Sequence, residues 1–438
     1  MPNFDHCFAL RCGLCTFELR AEDRVVACSP DGIQVKIFSY ERRCHSCEHP
    51  NGIIPTFHEE CHKKVGTPFP EQLAVTCCDF DPSPNQSITD DIAVFNNLSI
   101  HINKPSSCLS SRLATLPPEL RLLVIKYVMQ CWCTISTWSL NASTRLDAEV
   151  DLSCKIWACF VKIYARSYIA SLSNENANEH KEKLWGPGKR VVQVLVFDPA
   201  SAQGLNAIYI ARDAWGVRNI VFSCLDDEPD VTESPGVWWQ ILRISSKVGK
   251  LITQNDGLKL RTLKYSNAGS EVDSSGKLWS FPPSPSLKFL CYSIRTAATP
   301  AKMTSLIIND AQITGFSVYW NTEIAYLHAH KGGQENSFYL SAQFQDRDAR
   351  WLYMPLAPGE RLLEVWRRYD ELLKREALVL VTNLGRTLVM AEHPRPGQEN
   401  LYSYQLLAKL LNKPSILSLD LSDGLREIAF SNRNTLKA

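Results

Sequence analysis

No stretch of about 18 residues in this chain is apolar and free of charge, so a membrane-spanning helix is not expected. The first twenty residues, MPNFDHCFALRCGLCTFELR, lack a basic start followed by an unbroken apolar run, so a secretory leader is not expected either. One-sided charge is missing too: 47 Lys and Arg face 46 Asp and Glu, a net charge of +1. A nucleic-acid binder needs a basic surplus to neutralise phosphates, so no nucleic-acid partner is expected. Arg42 and Arg43 before Cys44, and Lys63 and Lys64 after Cys61, are clusters short enough to be solvated surface. Common catalytic motifs are also lacking. There is no Gly-Lys-Ser/Thr phosphate loop, Gly-x-Ser-x-Gly turn, His-Glu-x-x-His pair or dinucleotide fingerprint. The expectation is an intracellular chain, cytoplasmic or nuclear, without intrinsic enzyme activity.

Cysteine is plentiful: sixteen in all, nine of them within the first 78 residues. A disulfide framework would need an oxidising compartment, and no route to one is visible, which leaves metal binding as the reading of paired cysteines. Three pairs have the two-residue gap that lets both donors of one turn reach one ion: Cys12/Cys15, Cys44/Cys47 and His58/Cys61. Zinc, a tetrahedral ion with a preference for sulfur and imidazole, is the cofactor expected. Six ligands exceed one site. Either one pair is structural filler, or a second ion recruits Cys28, His45, His62 or Cys7. The later cysteines Cys131, Cys133, Cys154, Cys159, Cys224 and Cys291 sit among apolar neighbours and read as small core residues.

The expected fold class is multidomain α+β. Residues 1–78 form the cysteine-rich module, with strands at 24–26 and 33–40, and residues 79–111, rich in Pro and Ser, form a linker. Residues 112–172 form a helical segment. There Thr115 caps a helix that tolerates Pro117 and Pro118 in its first turn and carries the apolar stripe Leu120, Leu123, Val124 and Tyr127. Leu152, Ile156, Phe160, Ile163, Tyr164 and Tyr168 are spaced like a second helix. Residues 190–438 form a large β-dominated domain, with strands at 191–197, 207–211, 217–222, 287–293, 313–319, 323–328, 338–344 and 377–382. Within it, 360–373 scans as an amphipathic helix. The stretches 215–222 and 423–430 echo each other, which fits a duplicated β unit or chance. Tyr326-Leu327-His328-Ala329-His330 puts two histidines on one face of a strand, a geometry suited to a metal or simply to solvent.

Two resemblances attach to these motifs. Phe57-His58-Glu59-Glu60-Cys61, an aromatic before a His-x-x-Cys pair, is similar to the knuckles of RING-like and LIM-like zinc folds, although the spacing of the pairs follows neither family. Leu116-Pro117-Pro118-Glu119-Leu120 resembles the opening of an F-box, and the ensemble is similar to fungal F-box-like proteins with an N-terminal cysteine-rich module. That resemblance implies an adaptor or substrate receptor of a cullin-type ubiquitin ligase, with Leu116, Pro117, Leu120, Leu123 and Val124 docking a Skp-type adaptor and the β domain selecting a protein client. The other reading is a zinc-stabilised lectin-like or protein-binding module with no ubiquitin role. Ile313–Val318, Pro358–Trp366 and Thr382–Thr387 resemble strand and turn sequences of jacalin-type lectins, which implies a β-prism and a glycan ligand held at loops, with the loops near Trp215, His328–Gly333 and Asn383–Arg386 as candidates.

Overall fold

The computed structural model describes residues 7–9, 11–28, 35–39, 53–65, 148–163, 166–176, 192–201, 204–224, 236–244, 249–255, 259–266, 277–283, 288–291, 301–321, 323–332, 350–373, 375–391, 399–420 and 427–432, with single positions between them. The linker 79–111 and the expected strand 338–344 lie outside the described residues. The chain divides into two compact units, Met1–Leu225 with Val231–Ser275, and Gly276–Ala438 with Asp226–Asp230. This corrects the single β domain expected over 190–438. Residues 192–197 pair with residues 156–160, which come before residue 190, and residues 207–223 fall in the first unit with them.

The N-terminal module of the first unit starts with β1 (Cys7–Phe8), β2 (Arg24–Cys28) and β3 (Val35–Ser39). It continues with β4 (Ile53–Ile54), β5 (Thr56–His58) and the helix α1 (Glu59–Val65). β2 is the middle strand of an antiparallel sheet in the order β3-β2-β5, and β1 pairs with β4. Beyond the module come β6 (Ala148–Asp151), β7 (Ile156–Ile163), β8 (Arg166–Ser173), β9 (Val192–Phe197), β10 (Ala207–Asp213) and β11 (Gly216–Ser223). β12 (Trp238–Arg243), β13 (Lys250–Asn255) and β14 (Leu260–Ser266) complete this unit. They make the antiparallel runs β8-β7-β9, β11-β10-β12 and β14-β13-β6.

The helix expected over Leu152–Tyr168 is therefore a β-hairpin. β7 and β8 have apolar neighbours on both faces, because alternate residues enter different cores. Tyr168 packs with Cys12, Leu14 and Phe57, whereas Ile169 packs with Ile156, Leu172 and Ile208. A strand buried on both faces has no clean period of two, and here its apolar residues happened to fall at helical spacing. The segment before it does carry a helix: Leu120, Val124, Ile125, Val128, Met129 and Cys133 are helical. Its buried residues among those described are Ile125, Met129 and Cys133, which the expected stripe did not include. Leu120 is 47% exposed, Val124 is half-buried, and Leu123 and Tyr127 lie outside the described residues. With Leu, Val, Ile, Tyr and Met packed into one run, periodicity leaves the rotation of the helix open, and contact with the cysteine module selects it.

The second unit consists of strands. β15 (Leu278–Trp279), β16 (Lys288–Cys291) and β17 (Lys302–Ile308) join β25 (Ser415–Asp420) and β26 (Glu427–Asn432) in the order β15-β17-β25-β26-β16. β18 (Ile313–Asn321), β19 (Glu323–Lys331) and β20 (Arg350–Pro355) form β19-β18-β20, and β21 (Leu362–Asp370), β22 (Arg375–Thr382), β23 (Thr387–Val389) and β24 (Tyr402–Lys409) form β23-β22-β21-β24. All three sheets face one core. Leu417, Leu419 and Ile428 come from the first, Phe316, Val318 and Met354 from the second, and Val365, Leu378 and Leu380 from the third. The helix expected over 360–373 is β21, whose register shifts at Leu362/Glu364 and Val365/Trp366. The first bulge, at Leu363, lies in β21 itself and reverses its in–out alternation, which blurs the period of two; at the second the extra residue is Leu407 of β24. The echoing stretches 215–222 and 423–430 both reach strands, β11 beside β10 and β26 between β25 and β16, so their surroundings differ.

One end of this unit is held by Asn309, which is buried with φ of 60°. Its carboxamide nitrogen donates to the carbonyls of Leu362 (2.8 Å) and Leu411 (3.0 Å), and its oxygen accepts the Leu362 N–H (2.8 Å). Asparagine combines tolerance of the left-handed region with both donor and acceptor, so the end of β17 is tied to the start of β21 and to Leu411, two residues past β24. Nearby, Arg386 bonds the buried Glu360 carboxylate (2.9 Å) and the Pro355 carbonyl (2.8 Å). Asn309→Ala should destabilise the protein by roughly 2–4 kcal/mol, because it leaves buried main-chain groups without partners. Chemical denaturation followed by tryptophan fluorescence measures this, and a loss below about 0.5 kcal/mol, within the range of an ordinary surface change, would reject the staple.

Candidate metal centre

Cys12 and Cys15 sit on a tight turn. The Cys12 N–H donates to the Phe17 carbonyl (3.0 Å), the Thr16 N–H donates to the Cys12 carbonyl (2.8 Å), and an Arg11–Glu18 bridge closes the base. Thr16 takes φ of 67°, a left-handed conformation that brings the two sulfurs to one side. The Gly13 N–H donates to Thr56 (3.1 Å), which hangs the turn on β5. His58 ends β5 and Cys61 lies in the first turn of α1. Phe57, just before His58, is buried in the same core cluster, as the aromatic of the knuckle motif leads one to expect. Arg24 on β2 and Lys63 both bond the Glu59 carboxylate (2.9 and 3.0 Å), fixing α1 against the sheet.

The result is a cluster of Cys12, Cys15, His58 and Cys61, all buried, with ligand atoms within 4.8 Å of one another. His58 Nδ1 lies 3.4 Å from Cys15 Sγ and 3.8 Å from Cys61 Sγ, and the His58 N–H donates to Cys12 Sγ (3.4 Å). Metal–sulfur bonds of about 2.3 Å in a tetrahedron separate ligand atoms by about 3.8 Å, so the cluster has the size of a four-coordinate site and could hold a metal ion. The other imidazole nitrogen faces a carboxylate: His58 Nε2 is 3.5 Å from Asp23 Oδ2, which in turn accepts the Arg20 N–H (2.7 Å). A carboxylate behind a ligating histidine fixes its tautomer and raises its basicity.

Without an ion the cluster is electrostatically awkward. Burial lowers the affinity of His58 for a proton, but the Cys12 and Cys61 sulfurs outweigh it and push the imidazole up to about 10. Burial raises the Cys12 thiol, yet hydrogen bonds from Cys15, Cys61 and His58 bring it well below its usual value, while burial and the neighbouring sulfurs push Cys15 well up. A divalent cation would replace these protons as the neutralising charge.

The cluster settles how two of the three pairs combine. Cys44, Cys47 and His45 lie outside the described residues, as do the side chains of Cys7 in β1 and Cys28 in β2. His62 is half-buried on α1 and is not among the four, and burial holds its imidazole below the usual value. Asp23 was not legible as a site residue. Nothing in its local pattern marks it, and only the pairing of Val25 with His58 brings it near. Of the later cysteines, Cys133 and Cys159 are buried, but Cys154 is exposed at the turn before β7, which corrects its placement in the core. Of the expected docking residues, Leu116 is half-buried and Pro117 and Leu120 are exposed.

The two histidines of β19 do share a face, with ring centroids 4.8 Å apart, and His330 Nε2 is 2.7 Å from Ser317 Oγ. Among the described residues they are not part of any group of three or more metal-binding side chains. The loops at Trp215 and Asn383–Arg386 carry internal hydrogen bonds. Trp215 is buried, with its N–H donated to Asp213 (2.8 Å), and Asn383 and Arg386 spend their polar atoms on Arg361, Glu360 and Pro355. No described helix is long and apolar enough to cross a membrane.

No protein-family model matches the chain, and no curated protein does. Among solved structures it is similar to a prostate-specific WGA16 glycoprotein lectin, at 16% identity over 31% of this chain and 94% of that one, with a TM-score of 0.21. A likeness of that size carries no argument about fold or ligand.

Metal binding at pH 7 should release protons, because His58 and Cys15 hold them in the metal-free cluster. Calorimetry in two buffers of different ionisation enthalpy measures the number released, and a value near zero would contradict the assignment. In the metal-free state His58 titrates above its unfolded value, so its contribution to stability is present below pH ~6.5 and is lost as the pH rises through about 10. With metal bound the sense reverses: acid competes for the ligands and releases the ion. Asp23→Ala should weaken metal affinity by about 10–100-fold without removing a ligand, read by competition with a chromogenic chelator.

Proposed function

We propose that the chain is a zinc-stabilised, non-catalytic recognition protein whose second unit is a lectin-like β-prism. The observation that carries this reading is one core lined by three strand groups, two of them antiparallel throughout and the third with β15 and β17 parallel, as the three faces of a prism line its interior. The jacalin-like pieces fall where that architecture needs them. Ile313–Val318 opens β18, Pro358–Trp366 is the turn into β21, and Thr382–Thr387 is the turn from β22 to β23. Gly359 and Gly385 take φ of 81° and 77° in those turns, which a residue with a Cβ adopts at a cost. Zinc is the ion best matched to three thiolates and one imidazole in a closed, buried set, since a catalytic zinc site keeps a position open to water.

A second reading keeps the ubiquitin role, and a different observation favours it. The helix that follows Pro117 turns Ile125, Met129 and Cys133 into the core beside the metal site, and leaves Pro117 and Leu120 on the surface. An exposed leucine next to an exposed proline suits docking on a Skp-type adaptor. Here the metal site and the adaptor surface would share one helix, so loss of zinc would disturb both.

Elemental analysis of protein purified without chelator should find zinc, and Cys12→Ser with Cys61→Ser should abolish it at the Cys12/Cys15/His58/Cys61 site. A different metal, or an unchanged content in the double variant, would refute the zinc assignment. Screening the full chain on a glycan array tests the lectin reading, and pull-down with Leu120→Ala against wild type tests the adaptor. Capture of the adaptor that survives Leu120→Ala undiminished would remove the second reading.

A further inference from the structure

We infer that β24 is a docking edge for a second copy of this chain, which pairs with it antiparallel about a two-fold axis beside Tyr404. This goes beyond both readings above and depends on neither. β24 ends the run β23-β22-β21-β24, and among the described residues β21 is the strand it pairs with. The opposite edge, β23, spans three residues, whereas β24 spans eight. Native sheets blunt a long edge with charge, proline or a bulge. Tyr402-Ser403-Tyr404-Gln405-Leu406 carries no charge and no proline, and the bulge at Leu407 comes after it.

The register shows which main-chain groups face that edge. Hydrogen-bonded pairs alternate with non-bonded ones along an antiparallel ladder. The Glu371 N–H donates to the Leu401 carbonyl (2.9 Å), so two and four residues on the bonded pairs are Ser403 with Tyr369 and Gln405 with Arg367. The N–H and C=O groups of Tyr402, Tyr404 and Leu406 therefore point away from β21. The side chains are open too. Ser403, Tyr404, Gln405 and Leu406 are all exposed, on both faces of the strand, with Tyr404 at 52%. Among the described residues, this stretch of strand is held along one edge only.

The edge is complementary to itself. Antiparallel pairing centred on Tyr404 sets that residue against its own counterpart and sets Tyr402 against Leu406 in both directions. All three positions turn their main-chain groups outward, so all three become bonded pairs, with roughly six hydrogen bonds in all. On the face that these residues share, aromatic meets aromatic and aromatic meets aliphatic, which are stabilising cross-strand pairs. Charge selects the same direction. Glu399 precedes the strand and Lys409, 72% exposed and 3.8 Å from Glu364, ends it. Antiparallel pairing brings the acidic end of one copy to the basic end of the other, whereas parallel pairing would set like ends together. An arbitrary extended peptide would meet the row of main-chain groups but not this match of side chains and end charges.

Sedimentation velocity of the full chain over a concentration series should show a monomer–dimer equilibrium, and hydrogen exchange resolved by residue should locate it. Exchange at the amides of Tyr402, Tyr404 and Leu406 should slow as concentration rises, while Ser403 and Gln405, bonded to β21, stay protected throughout. Tyr404→Pro removes an edge-facing donor that β21 does not use, and Tyr404→Lys sets two like charges side by side. Each should weaken dimerisation by about tenfold, whereas Tyr404→Phe retains it. Because Tyr404 is exposed, Tyr404→Lys should melt like wild type, and it reads the interface even where proline disturbs the strand. A chain that stays monomeric at every concentration would overturn the pairing. A dimer that both variants leave intact would overturn it too, since the interface would then lie elsewhere. So would protection of Tyr402, Tyr404 and Leu406 that does not change with concentration, because the edge would then be filled within one chain.

Discussion

Three sulfurs and an imidazole nitrogen gathered within 4.8 Å and sealed from water cannot rest there without a balancing charge. That requirement governs the first 65 residues. The ligands come from two places far apart in sequence, a turn at Cys12–Cys15 and the β5–α1 junction, and the hairpin of β2 and β3 lies between them. A module of this size has little apolar surface of its own, so an ion bound at the cluster would join its two halves and supply a large part of its stability.

The module's core is not its own. Cys12, Leu14, Phe57 and Cys61 pack with Ile125, Met129 and Cys133 of the helix and with Tyr168 and Trp215 of the β region of the same unit. Asp213 fixes that junction. Its carboxylate accepts the Tyr168 hydroxyl (2.9 Å), the Arg218 guanidinium (3.1 Å) and the N–H groups of Trp215 (2.8 Å) and Gly216 (3.2 Å). A buried carboxylate with this many partners is strongly specified, since losing any one of them leaves charge uncompensated. β8 is thus shared, one face serving the metal module and the other the β core.

The second unit divides its work differently. Apolar residues of three sheets close the interior, and one end is cross-tied by Asn309 and by the Glu360–Arg386 pair. The turn from β21 to β22 leaves Leu372 and Leu373 65% and 50% exposed.

The sequence by itself narrowed the candidate metal ligands to three pairs and located several of the strands. A two-residue gap between donors is a local property, and β-branched, aromatic runs between turns are too: the strands expected at 191–197, 207–211, 217–222 and 377–382 match β9, β10, β11 and β22 closely. Only the tertiary structure decided the rest. Which knuckle pairs with which depends on the β2–β5 register, which also delivers Asp23 to His58. Whether Leu152–Tyr168 and Glu360–Leu373 are helix or strand depended on burial on both faces in one case and on a bulge in the other, and neither leaves a period in the sequence. The rotation of the helix after Pro117 and the union of three sheets around one core are likewise matters of contact between residues far apart, where local pattern carries no information.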